Sequence, residues 1–340
     1  MKSLLFCGDL TFPFQTEVNY TAIKPLFDGN IAIANLEGSI LEKEEEVNNY
    51  RWDDKFSLYS CPKVIDLLKD LNIKAVSLCN NHILDYKHDI NDTVRLLKQH
   101  DIASWGLRNH DVFHTEFNGR QLYIITFATF ANEHSLNLFS PSKVVKEVKM
   151  LRAKDKDAYI VLFPHWGREK FNYPDPADRK LAHDCIDAGA DLIVGHHPHV
   201  LQPIEIYKDK SIVYSIGNFI LPEAQYGKMI STNISKEKTE MLVEWNGKDI
   251  KLHTIYFDTE TNTVKRLPDF DTSDLYKMFS TKVSAFQYLR LYLKHSSLLD
   301  ILIRSRYFST DWGESLCYVQ RRSFRYIRHL IIKMGLHQPK

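Results

Sequence analysis

The stretch Gly189 to His199, Gly-Ala-Asp-Leu-Ile-Val-Gly-His-His-Pro-His, delivers His196, His197 and His199 directly after an apolar run. Neutral imidazole nitrogen is a common ligand for zinc and similar metals. Leu192 to Val194 reads as a short buried strand and Gly195 as the turn that ends it. Alternate residues leaving a strand point the same way, so His197 and His199 can share one site, with Pro198 stiffening the loop between them. A surface loop that happens to hold histidines is the competing reading. Four other apolar runs end in residues of the same chemical kind. Ser3 to Cys7 runs into Gly8 and Asp9, and Ile31 to Ala34 into Asn35, Leu36, Glu37 and Gly38. Ile73 to Cys79 runs into Asn80, Asn81 and His82, and Ala158 to Phe163 into Pro164, His165, Trp166 and Gly167. The carboxyl ends of strands are where open α/β folds bind ligands, and two carboxylates at two strand ends favour a metal site over a chance pair of turn caps. Asn81 can ligate a metal through its amide oxygen, and the His82 imidazole can protonate a leaving group. Asp85 reads two ways, as the group that orients His82 or as the cap of a helix from about Tyr86 to His100. His88, His100 and His110 lie in polar surroundings and carry no assigned role.

These residues need a scaffold that brings strand ends together. Helices are expected over Pro62 to Leu71, Ser142 to Lys154 and Pro176 to Ala188, and a further strand over Gln121 to Thr129. A hairpin follows, Ile204 to Tyr207 and Ile212 to Ser215 turning at Lys208 to Lys210, closed by Gly217, Asn218 and Phe219. A last hairpin, Met241 to Trp245 and Ile250 to Phe257, turns at Asn246 and Gly247, a pair suited to positive φ. Strands alternating with helices give an α/β class. The charged run Glu42 to Glu46 reads as a solvated loop, and no internal repeat is present.

The chain has 340 residues, 44% of them hydrophobic, enough to bury a large core with or without an appendage. A net charge of +1 gives no general attraction to nucleic acid. The five cysteines, Cys7, Cys61, Cys79, Cys185 and Cys317, are odd in number and widely spaced, which favours a reducing compartment. The start of the chain is too poor in apolar residues for a signal peptide and no apolar run reaches membrane-spanning length, so a cytoplasmic location is expected. From Thr281 to Lys340 there are 11 Lys and Arg against 3 acids, a balance of +8, leaving −7 on the rest of a +1 chain. Leu291 and Leu298 to Ile303 suggest one helix there. Phe324, Ile327, Leu330, Ile331 and Met334 form an apolar stripe on another beside Arg321, Arg322, Arg325 and Arg328. Such helices either pack on the main domain with basic faces in water or attach peripherally to an anionic membrane face or an acidic polymer.

Six motifs in series carry a resemblance. Gly8-Asp9, Asn35-Leu36-Glu37-Gly38, Asn80-Asn81-His82 with Asp85-Tyr86, His165-Trp166-Gly167, Gly195-His196-His197-Pro198-His199 and Ser215-Ile216-Gly217-Asn218-Phe219 occur in the order and spacing of the capsule-synthesis CapA (PgsA) family. That family resembles the calcineurin-like metallophosphoesterases. The resemblance covers about residues 1 to 257 and leaves 258 to 340 as a basic, mostly helical extension. It implies a four-layer β-sandwich flanked by helices with a two-metal site at the strand ends. It further implies that Asp9 and His199 hold one divalent metal and Asn81, His165 and His197 the other, with Glu37 bridging. His82 would sit beside the substrate, and His196 and Asn218 would orient ligands by hydrogen bonds. Mixed oxygen and nitrogen ligation suits manganese, iron or zinc. The sequence departs from the wider superfamily in carrying Thr11 two residues after Asp9, where a His is usual, and Glu37 where the bridging residue is usually Asp. The implied activity is a metal-dependent hydrolase, a phosphoesterase on a phosphorylated or polymeric cell-surface precursor in capsule, exopolysaccharide or poly-γ-glutamate production. An amide hydrolase on a γ-glutamyl polymer and a non-catalytic assembly or export factor using the same pocket are the alternatives.

Overall fold

Strand β1 (Leu4–Leu10) is buried along its whole length, and its side chains alternate between two different cores. Leu4 and Phe6 face one cluster with Val161, Phe163, Leu192, Val194 and Val213, whereas Leu5 and Cys7 face another with Val64, Leu67, Leu68 and Leu97. A strand with apolar residues on both faces belongs in the middle of a layered structure, covered on each side. The computed structural model describes residues 2–51, 57–87, 89–107, 112–129, 141–223, 225–226, 229–230 and 239–295. His88, His110, Cys317 and the basic stretch from 296 onward lie outside them. Two compact units divide the chain, Met1–Lys282 and Val283–Lys340.

In the first unit β1 is followed by α1 (Lys24–Phe27), β2 (Ile31–Leu36), a short parallel pair β3 (Ser39–Ile40) and β4 (Tyr59–Ser60), α2 (Val64–Asp70), β5 (Ile73–Ser77), α3 (Ile90–Gln99) and β6 (Ala103–Trp105). Next come β7 (Phe113–Phe117), β8 (Arg120–Ile125), α4 (Pro141–Lys154), β9 (Tyr159–Leu162), α5 (Pro176–Ala188), β10 (Leu192–Val194), β11 (Ile204–Tyr207) and β12 (Lys210–Val213). The unit closes with β13 (Asn218–Ile220), the small hairpin β14 (Gln225–Tyr226) and β15 (Met229–Ile230), then β16 (Thr239–Trp245), β17 (Ile250–Asp258), β18 (Thr263–Arg266) and α6 (Ser273–Lys277). Helix α7 (Ala285–His295) is the described element of the second unit.

Two sheets form the middle layers. The first has the order β18-β17-β16-β1-β2-β5-β6 with β13 also on β1, and the second β11-β12-β10-β9-β8-β7. Their facing sides share one core, including Ile33, Ala75 and Trp105 from the first and Leu122, Ile124 and Val161 from the second. Helices α2 and α3 cover the outer face of the first sheet, and α4 and α5 that of the second through Val144, Val148, Leu181, Ala182 and Cys185. The result is the expected four-layer α/β sandwich. β18 extends the first sheet beyond Phe257, the end of the main domain expected from sequence.

Helix α5 and strand β10 have the bounds read from sequence. Pro176 opens α5 and Gly189, at φ 115, closes it with N–H bonds to the Cys185 and Ile186 carbonyls. Helix α3 does not. It starts at Ile90 rather than Tyr86, capped by Asp89, whose side chain accepts from the Asn91 N–H. Tyr86 instead bridges to Tyr50, and the Lys87 N–H bonds to Asn49, so the chain remains extended there.

Candidate metal centre

The carboxyl ends of the parallel strands from both sheets converge. β1 does not turn at Gly8 but runs on through Asp9 and Leu10, changing neighbours as it goes: Leu4 to Phe6 pair with β16, and Asp9 and Leu10 with β13. Gly8 sits at this change, where a Cβ would meet the Gly217 carbonyl at 2.0 Å. The exchange sets Asp9 opposite Asn218 on one side and Asn35 on the other.

Asp9 is fully buried. Its Oδ1 lies 2.8 Å from His196 Nδ1 and accepts from Asn35 Nδ2 at 2.8 Å, and its Oδ2 accepts from the His197 N–H at 3.0 Å. Burial pushes the Asp9 carboxyl up, but the charge and hydrogen bond of His196, with His199 and His197 beyond, outweigh it and hold the group at about 2. His165, at the end of β9, presents Nδ1 to His196 Nδ1 at 3.0 Å and Nε2 to Asn81 Oδ1 at 2.7 Å. Burial, and then its histidine neighbours, keep His165 well below the usual imidazole value. His197 is lowered to about 3, chiefly by burial against the opposing pull of Glu169. Both rings therefore keep a lone pair at neutral pH.

His197 and His199 do meet at one site, by a route other than strand alternation. They adopt φ of 96° and 58°, left-handed conformations that cost on the order of 1–3 kcal/mol each in side-chain-bearing residues. The hydrogen bonds around them hold the loop in place, among them His197 N–H to Asp9 and His199 Nδ1 to Asn218 Oδ1 at 2.7 Å. Gly195, read from sequence as the turn that ends β10, has no left-handed backbone. It lies under Trp166, where a Cβ would stand 2.2 Å from both the indole Nε1 and the Tyr214 carbonyl.

Glu37, just past β2, is fully buried, with Oε1 3.7 Å from His165 Nε2 and 4.0 Å from His199 Nε2. Asp9, His165 and His196 each offer a donor atom within 4.8 Å of the others, and so do Glu37, His197 and His199. Of the residues singled out from sequence, Asp9, Glu37, Asn81, His165, His196, His197, His199 and Asn218 thus fall in one cluster. The grouping differs from the implied one in placing His196 beside Asp9 and His165. His82 Nδ1 lies 2.5 Å from Asp85 Oδ2, which also accepts the Leu58 N–H at 3.1 Å, so Asp85 orients His82 and caps no helix. Three participants carried no sequence-derived role. Asn35 contacts Asp9. Asn80 ties Asn35 Oδ1 at 3.2 Å to the Leu36 carbonyl at 2.8 Å and accepts the His82 N–H at 3.1 Å. Glu240, on β16, holds Asn218. The first two lie inside quoted motifs; Glu240 lies in a hydrophobic strand with no local signal.

The donor set fits a divalent cation. Ligands about 2.1 Å from one ion sit roughly 3 to 3.5 Å apart, near the spacings found between His165 Nδ1 and His196 Nδ1, and between His196 Nδ1 and Asp9 Oδ1. His196 Nε2 is moreover buried with no hydrogen-bond partner.

Known proteins resemble this chain in sequence and in fold. The chain is 33% identical over 216 residues to the PGA biosynthesis protein CapA of Bacillus subtilis (strain 168), covering 59% of this chain and 56% of that protein. It is 29% identical over 230 residues to the capsule biosynthesis protein CapA of Bacillus anthracis, covering 62% and 55%. The chain thus spans about half the length of these relatives. Among solved structures, one described as a novel phosphatase from Mycoplasma pneumoniae is similar over 81% of this chain and 98% of its own, at 14% identity and a TM-score of 0.42. The sequence model of the bacterial capsule synthesis protein PGA_cap matches residues 4–223, well over half of the chain, and every cluster residue from Asp9 to Asn218 lies within that span, so the chain belongs to this family.

Proposed function

We propose that the chain is a metal-dependent hydrolase, a phosphoesterase, that acts on a phosphorylated or polymeric cell-surface precursor in capsule or poly-γ-glutamate production. The observation that carries this reading is the burial, at the meeting point of two sheets, of Asp9, Glu37, His165, His196, His197 and His199 with their donor atoms turned towards one another. Two buried carboxylates facing four imidazoles bring together the donor types that hold divalent cations, and the cluster is most economically explained as a cation site. Two divalent ions, manganese, iron or zinc, would be held by these six residues with Asn81 beside them. Ions in such a site polarise a phosphoryl oxygen and acidify water.

The remaining work falls to the chain itself. His82, with Nδ1 fixed on Asp85, keeps Nε2 for a departing oxygen and serves as proton donor. Asn35 and Asn80 hold the Asp9 carboxylate in one orientation. Among the described residues no helix is long and apolar enough to cross a membrane.

Metal analysis of protein purified without chelator, followed by parallel screens for phosphate and amine release, tests the reading. Bound metal with phosphate release supports it. Amine release from γ-glutamyl substrates would point to an amide hydrolase instead. Metal without either product would leave a binding role in polymer assembly.

A further inference from the structure

Glu240 lies beyond residues 4–223, near the start of β16, yet its carboxylate is buried and reaches the edge of the centre. Its Oε2 accepts the Asn218 N–H at 2.7 Å and its Oε1 accepts Asn218 Nδ2 at 3.1 Å. Gly217 makes room for this contact: a Cβ there would stand 1.9 Å from Glu240 Oε2. A carboxylate flanked by two N–H donors acts as an acceptor at both oxygens, so the Asn218 amide must turn its NH2 to Glu240 and its oxygen away. That oxygen lies 2.7 Å from His199 Nδ1. An amide oxygen accepts only, so the proton of the neutral imidazole is on Nδ1 and the lone pair on Nε2, the atom 4.0 Å from Glu37 Oε1.

We infer that Glu240 is a positioning residue that, through the Asn218 amide, fixes His199 as the Nδ1–H tautomer and turns the Nε2 lone pair to the Glu37 side of the cluster. The inference deepens the metal-site reading and rests on it only for the purpose of the lone pair, since the tautomer is read from the neighbours of Nδ1, the Asn218 oxygen at 2.7 Å and, farther off, Asp9 Oδ2 at 3.5 Å. Glu240→Gln is the discriminating change because it keeps size and shape. A glutamine that accepts the Asn218 N–H with its oxygen presents NH2 to the Asn218 side chain. The Asn218 amide then rotates, donates to His199 Nδ1 and drives the proton to Nε2.

The test uses the full chain with ¹⁵N-histidine, stripped of metal, and reads the His199 tautomer by long-range ¹H–¹⁵N correlation, assigned by difference with His199→Gln. The expected results are Nδ1–H in the parent, a shift towards Nε2–H in Glu240→Gln at unchanged far-ultraviolet circular dichroism, and a roughly 10- to 100-fold loss of Mn²⁺ affinity in the variant. A residue that merely braces β13 would leave the tautomer where it was. Retention of Nδ1–H in a folded Glu240→Gln protein overturns the inference, as does Nε2–H in the parent, which is decisive even if the variant fails to fold. If the tautomers behave as expected and neither protein binds Mn²⁺, the relay stands and the metal reading falls.

Discussion

Replacing Gly195 by Ala should separate the two ways in which a glycine can be indispensable. Its backbone is not left-handed, so alanine suffers no conformational penalty, and the whole cost is spatial. The added Cβ would lie 2.2 Å from Trp166 Nε1 and 2.2 Å from the Tyr214 carbonyl, the partners of a buried 2.8 Å hydrogen bond. Both contacts are more than an ångström inside van der Waals distance, and the carbonyl side is backbone that cannot swing away. Breaking the bond strands a buried indole N–H at about 1–3 kcal/mol. Forcing apart close-packed groups adds about 1–3 kcal/mol more. The expected loss is therefore about 2–6 kcal/mol, a large part of the stability of an ordinary domain. Gly29 is the control, at φ 75° with nothing within 4 Å of the point where a Cβ would stand. Gly29→Ala should cost only the left-handed backbone penalty of about 1–2 kcal/mol. Urea unfolding followed by circular dichroism measures both through the shift in midpoint. A Gly195→Ala protein no less stable than Gly29→Ala would refute the steric account of the histidine loop. Bound metal should fall as well, because Gly195 leads directly into His196 to His199.

Asp9→Asn, Asn81→Ala and His197→Ala should each lower bound metal and abolish hydrolysis. His100→Ala should do neither, because His100 sits at the exposed end of α3 beside Lys69; full metal content in the triple variant would defeat the assignment. His82→Ala should keep its metal and lose most activity on substrates with poor leaving groups, so an equal loss on good and poor leaving groups argues against proton donation. Acid unfolding should report on Glu205, whose Oε1 lies 2.6 Å from Arg179 Nη2 and 3.1 Å from His183 Nε2, and whose Oε2 is 2.7 Å from the Tyr214 hydroxyl. Burial raises its carboxyl, but hydrogen bonds from His183, Arg179 and Tyr214 outweigh this and hold it at about 2, against an ordinary 4.5. Its stabilisation is thus complete above about pH 4.5 and is lost as pH falls towards 2, by up to about 3 kcal/mol. Glu205→Gln should flatten the stability profile across that window, and an unchanged slope would show that other carboxylates set it.

Much of this arrangement is legible in the sequence because the site is built from strand ends, and a buried strand ending in a polar residue leaves a clear local mark. Leu192–Val194 and Pro176–Ala188 match their expected bounds since apolar runs, Pro176 and Gly189 are local signals. Where contacts from afar decide, the sequence misleads. Asp85 looks like a helix cap, but His82 and the Leu58 N–H claim its side chain and the cap falls to Asp89. The edge strand Phe113–Phe117 leaves a weak local mark because only Phe117 is fully buried while His114 and Glu116 are exposed, and it is held by pairing with Arg120–Ile125. Gly195 reads as a turn, although it serves the close approach of Trp166 and of the Tyr214 backbone. Glu240 leaves no trace at all, because only the fold places it against Asn218.

The change of neighbours along β1 has a consequence for biosynthesis. Asp9 is made well before part of its surroundings, which come from β13 and from the Glu240 end of β16, more than two hundred residues later. Until that later segment has left the ribosome, the upper half of β1 lacks its outer partner and His199 lacks the Asn218 amide that holds it. The nascent sheet β1-β2-β5-β6 can pair early through short connections, while closure of the centre must await one long loop. Vectorial synthesis therefore separates assembly of the scaffold from assembly of the cluster, and an arrested chain ending before β13 would expose an open strand edge at the place where the finished protein has its centre.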